Sequence, residues 1–266
     1  MITRVSGIYD EPGLYQLACA YRDIPAEANA LLDWCGRHWR GAPGRPRSVL
    51  ELAAGPAEHA LELARRGLAA TALDQSPAMC AWAAGQALQA GLELEVVEAD
   101  MRDFSLPGRF DLAITMLNSL CHLFTLDDMV AHLRAVAAHL DQGALYIAEL
   151  AHPADYLTIA PRTSSEWKVQ AGGVRADVCW GGPADRIDPV SQITREHMTI
   201  TAYAADGTVR TVSDVVPNRF WTHAELAAAI RLAGGFAVEA SYGDFDDTTT
   251  LDDPAAWRMI LVLRRE

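Results

Sequence analysis

The sequence of 266 residues predicts an α/β protein with a doubly wound, mainly parallel sheet. Strand-like apolar runs alternate with segments of helical apolar spacing between residues 48 and 150. Gly, Pro, Ser and Asp separate these segments, as is usual where a chain turns. The length suits one large α/β domain or two small ones, and half of the residues are apolar, so the chain can bury a sizeable core.

Helical and strand patterns follow each other in a regular order. Apolar residues at helical spacing over 14–38, interrupted by Pro25, predict two helices or one kinked helix. Five strands are then predicted at 48–53, 69–74, 92–97, 110–116 and 143–150, with helices at 58–66, 77–90 and 126–140. Strands that alternate with helices in this way form parallel sheets through right-handed crossovers.

The pattern changes near residue 158, where β-type runs replace the helices. These runs and the hairpin turn Ala205-Asp-Gly207 predict an antiparallel β insertion over one edge of the sheet. A helix capped by Thr222 and two further strands, at 236–242 and 257–263, complete the chain. We therefore predict an N-terminal helical cap (1–42), a core (43–157), the insertion (158–218) and the C-terminal part of the core sheet (219–266).

Charge and cysteine content limit the kinds of partner. The chain has 22 Lys and Arg against 35 Asp and Glu, a formal net charge of −13, which disfavours nucleic acid and anionic membrane surfaces. Five scattered cysteines with no C-x-x-C pattern favour free thiols over a zinc site or disulfides. With no signal-peptide or membrane-span pattern, we expect a cytoplasmic protein with a small-molecule partner and no metal. A homodimer is left open.

Polar or small residues end three consecutive predicted strands. The turn 51–57 opens a helix and is rich in small residues, so a ligand can approach the backbone closely. Asp74 ends the second strand 19 residues after Gly55, where an acid can accept the hydroxyls of a ribose. Asp100-Met101 follows the third strand and offers polar and apolar contacts to a purine. Each of these three elements alone could equally be a turn that packs a helix or a charge exposed to solvent. Because all three stand at the same edge of the sheet, together they predict a ligand-binding site.

These residues resemble the motifs of the class I S-adenosyl-L-methionine (SAM)-dependent methyltransferases, over essentially the whole chain. Glu51-Leu-Ala-Ala-Gly55-Pro-Ala57 is similar to the glycine-rich first motif, Asp74-Gln75 to the ribose-binding acid, and Asp100-Met101 to the adenine-contacting pair. Leu117 to His122 resembles the loop that faces the methyl group. The resemblance implies a Rossmann-like seven-stranded sheet, with the sixth and seventh strands at one end and the seventh antiparallel between the fifth and sixth. It also implies SAM as cofactor and S-adenosyl-L-homocysteine (SAH) as product.

The N-terminal region resembles small-molecule N-methyltransferases, such as the amino-sugar N,N-dimethyltransferases and related natural-product enzymes. The similar residues are Tyr9-Asp10, Leu14-Tyr15, Arg22-Asp23 and Glu27. In that group the N-terminal helices close over the cofactor as a lid, and the β insertion covers the acceptor. The resemblance implies methyl transfer to a nitrogen or oxygen of a small molecule, by in-line displacement in a water-excluded pocket.

One departure from the first motif concerns its glycines. Two of the three usual glycines are Ala53 and Ala57. The added methyl groups are tolerable if the turn needs no positive φ at these positions.

Site residues are assigned from this combination of position and resemblance. We predict His122 and Tyr15 as catalytic, since His122 follows the fourth strand and can take a proton near neutral pH if the acceptor arrives protonated. For the cofactor we predict Tyr15, Arg22, Glu51, Ala53, Gly55, Asp74, Gln75, Asp100, Met101 and Leu117. For the acceptor we predict Tyr9, His122, Glu149, His152 and Trp180.

Two alternatives to an active methyltransferase are left open. A nicotinamide-dependent oxidoreductase shares the strand–turn–helix and the distal acid Asp74, although the G-x-G-x-x-G match is poor. A catalytically inactive SAM-binding scaffold is the other, with the alanines at 53 and 57 as its only indication.

Overall fold

The computed structural model describes residues 7–44, 46–157 and 165–266, which form two β-sheets and the helices around them. The strands are β1 Ser48–Leu52, β2 Ala69–Asp74, β3 Leu94–Glu98, β4 Phe110–Thr115, β5 Leu140–Ala151, β6 Ser165–Ala171, β7 Val174–Trp180, β8 Ile193–Tyr203, β9 Val209–Arg219, β10 Phe236–Tyr242 and β11 Arg258–Arg265. The helices are α1 Pro12–Ala18, α2 Ile24–His38, α3 Glu58–Arg65, α4 Pro77–Ala90, α5 Leu126–Ala138 and α6 His223–Ala233.

The larger sheet has seven strands in the order β10-β11-β5-β4-β1-β2-β3. The pairs among β1 to β5 are parallel, whereas β11 runs antiparallel to both β5 and β10. This arrangement confirms the predicted Rossmann-like α/β fold, including the antiparallel strand between the fifth and sixth. The central strands β1, β4 and β11 are almost wholly buried, as expected where helices cover both faces of a sheet.

Local sequence signals explain where several helices begin. Pro25 lies in the first turn of α2 rather than in a helix interior, and the Asp23 side chain accepts a hydrogen bond from the backbone N–H of Ala26. The predicted cap Ser76 accepts from the N–H of Met79 at the start of α4. The two-helix alternative for the N-terminal region is therefore the one that forms.

The smaller sheet is the predicted antiparallel insertion, with the strand order β6-β7-β8-β9. Strand β6 was not predicted, although Trp167, Val169 and Ala171 alternate with polar residues; most of its residues are exposed. One face of this sheet packs against the N-terminal segment through residues that include Ile8, Leu14, Val178 and Ile200. The insertion and the N-terminal segment therefore form one layer above the carboxyl ends of the larger sheet.

Two predicted boundaries fall on residues that are not described. The helical cap was predicted to begin at residue 1 and the insertion at residue 158. Residues 1–6 and 158–164 lie outside the described residues. In the described part of the chain, no helix has the length and apolar character needed to cross a membrane.

The turn after β1 differs from the expectation for its two alanines. Ala53, Gly55 and Ala57 have φ values of 49°, 53° and 59°, so all three adopt the left-handed conformation. The N–H of Ala54 donates to the Leu73 carbonyl at 3.0 Å, which ties the turn to the neighbouring strand. The turn therefore does require positive φ at both alanines, at a cost of about 1 kcal/mol for each.

We predict that Ala53→Gly raises the free energy of unfolding by about 0.5–1 kcal/mol, because glycine adopts this conformation without the clash of a Cβ atom. Ala54→Gly is the matched control, since Ala54 is buried in the same turn and is not among the positive-φ residues. The control is expected to lose about 1 kcal/mol. Urea denaturation measures both, and equal losses in the two variants would contradict the left-handed assignment.

Candidate functional site

A cavity of about 1050 Å³ lies between the carboxyl ends of the parallel strands and the layer formed by the insertion and the N-terminal segment. Its volume exceeds the usual range for one small ligand, roughly 300–1,000 Å³. Twelve of the predicted site residues line it: Tyr9, Tyr15, Ala53, Gly55, Asp74, Gln75, Asp100, Met101, Leu117, His122, Glu149 and Trp180. The structure therefore brings together the ends of consecutive strands, as the doubly wound topology requires.

Asp74 joins two turns at the floor of the cavity. Its carboxylate accepts hydrogen bonds from the backbone N–H of Gly55 at 2.7 Å and of Ser76 at 2.8 Å. Burial raises the pKa of Asp74, although these hydrogen bonds act against that shift. The Ser76 hydroxyl also donates to the carbonyl of Tyr9 at 3.1 Å, so the strand ends and the N-terminal segment are directly connected.

Asp100 and Met101 are held from two sides. The guanidinium of Arg102 binds Asp100 through two nitrogens and lowers the pKa of its carboxyl. His132 donates from Nδ1 to the Met101 carbonyl at 2.9 Å, and burial lowers the pKa of His132 to about 4, so the ring is neutral. His132 was not predicted from the sequence, because its helical position gives no sign of this distant contact.

Glu51 points away from the large cavity. Its Oε2 accepts from the backbone N–H of Ala60 at 2.7 Å, which satisfies a donor in the first turn of α3. That helix has Ala57 at its cap position and no side-chain cap there, so the strand acid replaces the missing cap. Glu51 also lines the small cavity beside this turn, and its contact with a cofactor stays a prediction.

Arg22 also lies outside the lining of the large cavity. Its Nη2 binds Glu27 at 2.5 Å and Glu149 at 2.8 Å, and the side chain is almost fully buried. Nη1 is buried too and makes no hydrogen bond with any described residue. A small cavity of about 40 Å³ adjoins Arg22, Tyr15 and Gly55, and a buried donor without a partner is costly unless a ligand reaches it.

Tyr9 and His122 meet where the strand ends face the insertion. The Tyr9 hydroxyl lies 3.0 Å from Nε2 of His122, and the ring of His122 also bonds the backbone of Pro217. Tyr9 is the donor in this contact when His122 carries its proton on Nδ1, since Nε2 then offers a lone pair. Burial lowers the pKa of His122 and raises that of Tyr9, which keeps both rings neutral at pH 7.

Strained backbone follows β4. Leu117 and Asn118 have φ values of 51° and 59°, and a bulky residue such as leucine rarely adopts this conformation. Two contacts hold it: the N–H of Leu117 donates to Oε2 of Glu149 at 2.8 Å, and Asn118 Oδ1 accepts from the N–H of Ala151 at 3.0 Å. Glu149 therefore supports the cavity wall in addition to facing the cavity.

His152 does not reach the cavity. Its Nε2 bonds the Leu251 carbonyl at 2.8 Å, and its Nδ1 accepts from the N–H of Ala154. Both ring nitrogens are thus engaged in loop contacts, and the structure does not place His152 with the other predicted acceptor residues.

The insertion contributes lining residues that sequence reasoning missed. Asp214, Pro217 and Asn218 line the cavity from β9, and Trp257 and Arg258 line it from the start of β11. In β9 buried or half-buried residues alternate with exposed ones over much of the strand. This period of two was the sequence signal from which these lining residues could have been found. It predicted the strand but not which ligand site the strand would face.

Comparison with known proteins places this architecture among methyltransferases. Residues 49–143 match a family model described as a methyltransferase domain. The cypemycin N-terminal methyltransferase of a Streptomyces species is 24% identical over 265 residues, covering 97% of this chain and 98% of that protein. The dTDP-3-amino-3,4,6-trideoxy-alpha-D-glucopyranose N,N-dimethyltransferase of Streptomyces venezuelae is 26% identical over 213 residues, covering 80% and 84%.

A solved structure extends the likeness over the whole fold. The crystal structure of DesVI from Streptomyces venezuelae superposes with a TM-score of 0.78 at 23% identity, covering 96% of this chain and 98% of that one. The structural likeness confirms the fold, and the sequence matches confirm the predicted enzyme class and SAM as its cofactor. The oxidoreductase and inactive-scaffold alternatives lose their support.

Proposed function

Taking the chain as a SAM-dependent methyltransferase, we propose that it methylates the nitrogen of a small-molecule amine of the amino-sugar type. The observation that carries this proposal is the charge of the cavity that joins the predicted cofactor residues to the insertion. Among the described residues, six carboxylates and three cationic side chains line it. Arg102 pairs with Asp100 and Arg258 with Glu149 within this lining, so the described residues leave an excess of carboxylates. Such a cavity attracts an ammonium group and repels an anion.

The residues at the strand ends fit SAM as the bound cofactor. Asp74 would accept the ribose hydroxyls, and Asp100 and Met101 would contact the adenine. The unpartnered Nη1 of Arg22 supports a carboxylate position beside the turn after β1, next to Tyr15. When bound, SAM supplies a methyl group that is already activated by its sulfonium, so the chain has to align the acceptor and exclude water.

Tyr9 is the residue that we place between cofactor and acceptor. In this proposal the Tyr9 hydroxyl donates to Nε2 of His122, 3.0 Å away, so the lone pairs of its oxygen stay available to accept from an amine N–H. This contact would orient the nitrogen lone pair towards the methyl group. His122, neutral at pH 7 because burial lowers its pKa, would accept through Tyr9 the proton that the amine must release.

The acceptor class is inferred from the compartment below the insertion and from the relatives. Trp167 and Trp180 lie 6.1 Å apart between ring centroids and both line the cavity, offering apolar faces to a sugar ring. By their names, both relatives methylate nitrogen, one on an amino sugar and one on a peptide N-terminus. The two tryptophan faces support the sugar rather than the peptide as the acceptor class. Cytoplasmic location and homodimer formation stay predictions from the sequence.

An acceptor panel tests the proposal. The purified protein is incubated with SAM and an amino sugar methyl glycoside, the same glycoside with hydroxyl in place of the amine, or a peptide with a free N-terminus. We expect mass spectrometry to show methylation of the amino sugar and none of its hydroxyl analogue. Methylation of the hydroxyl analogue would overturn nitrogen as the target, and methylation of the peptide alone would overturn the sugar class.

Arg22→Lys tests the carboxylate position. Lysine keeps the buried positive charge but lacks the second terminal nitrogen, so we expect about tenfold weaker binding of SAH. Binding of 5′-methylthioadenosine, which has no carboxylate, is expected to stay unchanged. Isothermal titration calorimetry measures both ligands, and an equal loss for the two would place the carboxylate elsewhere. Failure of the wild-type protein to bind SAH would contradict the cofactor assignment as a whole.

His122→Ala tests the proton acceptor. We expect kcat/KM for the methylated amine to fall about 100-fold, at the lower end of general-base effects, while SAH affinity stays unchanged. His223→Ala is the control, because His223 is exposed at the start of α6. An unchanged rate in the His122 variant would mean that alignment alone drives the transfer.

A further inference from the structure

One buried acid interrupts the apolar inner face of the four-stranded sheet. Along β8 the inward residues are Thr194, Glu196, Met198, Ile200 and Ala202, and Glu196 is only 8% exposed. Burying a carboxyl group among apolar side chains costs free energy unless its hydrogen bonds are made. Packing of the sheet therefore gives no reason for an acid at this position.

The hydrogen bonds of Glu196 lead to two residues of the cavity wall. Its Oε2 accepts from Nδ2 of Asn218 at 2.5 Å, and its carboxylate also interacts with the side chain of Trp180, which acts to lower the pKa of Glu196. Asn218 and Trp180 line the large cavity, whereas Glu196 lies behind them. On the other side of the amide, Asn218 Oδ1 accepts from the thiol of Cys121 at 3.1 Å.

These contacts determine how the wall faces an acceptor. With Nδ2 directed to Glu196 and Oδ1 to Cys121, the amide of Asn218 has one orientation. One amide hydrogen and one lone pair of Asn218 remain, and this pair suits a hydroxyl group, which both donates and accepts. The indole of Trp180 is held by the same carboxylate, so one buried group sets both a polar and an aromatic contact.

We propose that Glu196 is a positioning residue for acceptor recognition, which orients Asn218 and Trp180 towards a hydroxyl-bearing neighbour of the methylated amine. The inference rests on the proposed amine methylation. Glu196 touches neither the cofactor residues nor the cavity itself, so it acts only through these two side chains.

The surroundings of Glu196 support a role that depends on its charge. Burial raises the pKa of Glu196 to about 7, and the nearby carboxylate of Asp185 adds to that rise. Asp185 is itself held by the N–H of Gly182 and by Nδ1 of His197, each at 2.6 Å. The thiol of Cys121, from the loop after β4, also interacts electrostatically with Glu196. Burial raises the pKa of this thiol.

Glu196→Gln is the variant that tests this role. We expect the KM for the methylated acceptor to rise about tenfold, the effect of one misdirected hydrogen bond. kcat and SAH affinity are expected to stay unchanged. Glu239→Gln is the matched control, because Glu239 pairs with Arg264 on β10 and β11 at the far edge of the larger sheet. An unchanged acceptor KM in the Glu196 variant overturns the proposal.

The pH dependence of Tm distinguishes a positioning role of Glu196 from a purely structural one. A carboxyl whose pKa is raised on folding stabilises the fold fully only below its unfolded pKa, and that contribution is lost as the pH rises through about 7. We therefore expect the Tm of Glu196→Gln, relative to the wild type, to increase between about pH 5 and pH 8. A lower Tm at every pH, together with an unchanged KM, would make Glu196 a structural residue only.

A second measurement needs no acceptor. In the SAH complex of protein labelled with nitrogen-15 at tryptophan, the indole signal of Trp180 is assigned with Trp180→Phe. We expect this signal to titrate near pH 7 in the wild type and not in Glu196→Gln. If the wild type methylates no amine in the panel, the proposed function fails, and this titration alone decides whether Glu196 controls the wall. Identical titrations in the two proteins overturn the proposal.

Discussion

A buried network of three acids and three bases supports the cofactor end of the cavity. Its members are Glu27, Glu51, Glu149, Arg22, His59 and Arg258. Burial would raise the pKa of Glu27, but hydrogen bonds from His59 and Arg22 lower it to about 2. Burial would likewise lower the pKa of His59, yet its bonds to Glu27 and Glu51 raise it to about 9. Because each charge is buried and most members have two or more partners, loss of one member leaves the remaining buried charges unbalanced, which costs free energy.

The network matters because it connects segments that are far apart in the chain. Arg22 precedes α2, Glu149 lies on β5 and Arg258 begins β11. Glu149 then carries the connection to the strained loop after β4 by accepting from the N–H of Leu117. Left-handed residues persist only where the surrounding structure determines them strongly, and through Glu149 the network holds the left-handed Leu117 in this loop. The Nη1 of Arg22 and the Nε of Arg258 are buried nitrogens of this network that make no hydrogen bond with a described residue, and Glu149 and Arg258 also line the large cavity.

Much of the fold could be predicted from local pattern. Strand order, the antiparallel last strand and the capped helices followed from apolar periodicity, from cap residues such as Ser76, and from the resemblance to a known family. Strand β6 was missed although Trp167 and Val169 face the core of the insertion in alternation with polar residues, because the run is short and most of its residues are exposed. The positive φ of Ala53 and Ala57 also escaped, because alanine in a turn carries no local sign of a conformation imposed by the neighbouring strand.

The sequence by itself determined which residues stand at the carboxyl ends of the strands, because strand period and turn chemistry are local properties. It therefore placed Asp74, Asp100 and His122 at one edge, where the structure finds them around one cavity. Only the tertiary structure decided what each side chain contacts. Arg22 reaches Glu149 across 127 positions, and Glu196 stands behind Asn218 at a separation of 22. Such contacts depend on how separate elements pack, and no local pattern encodes them.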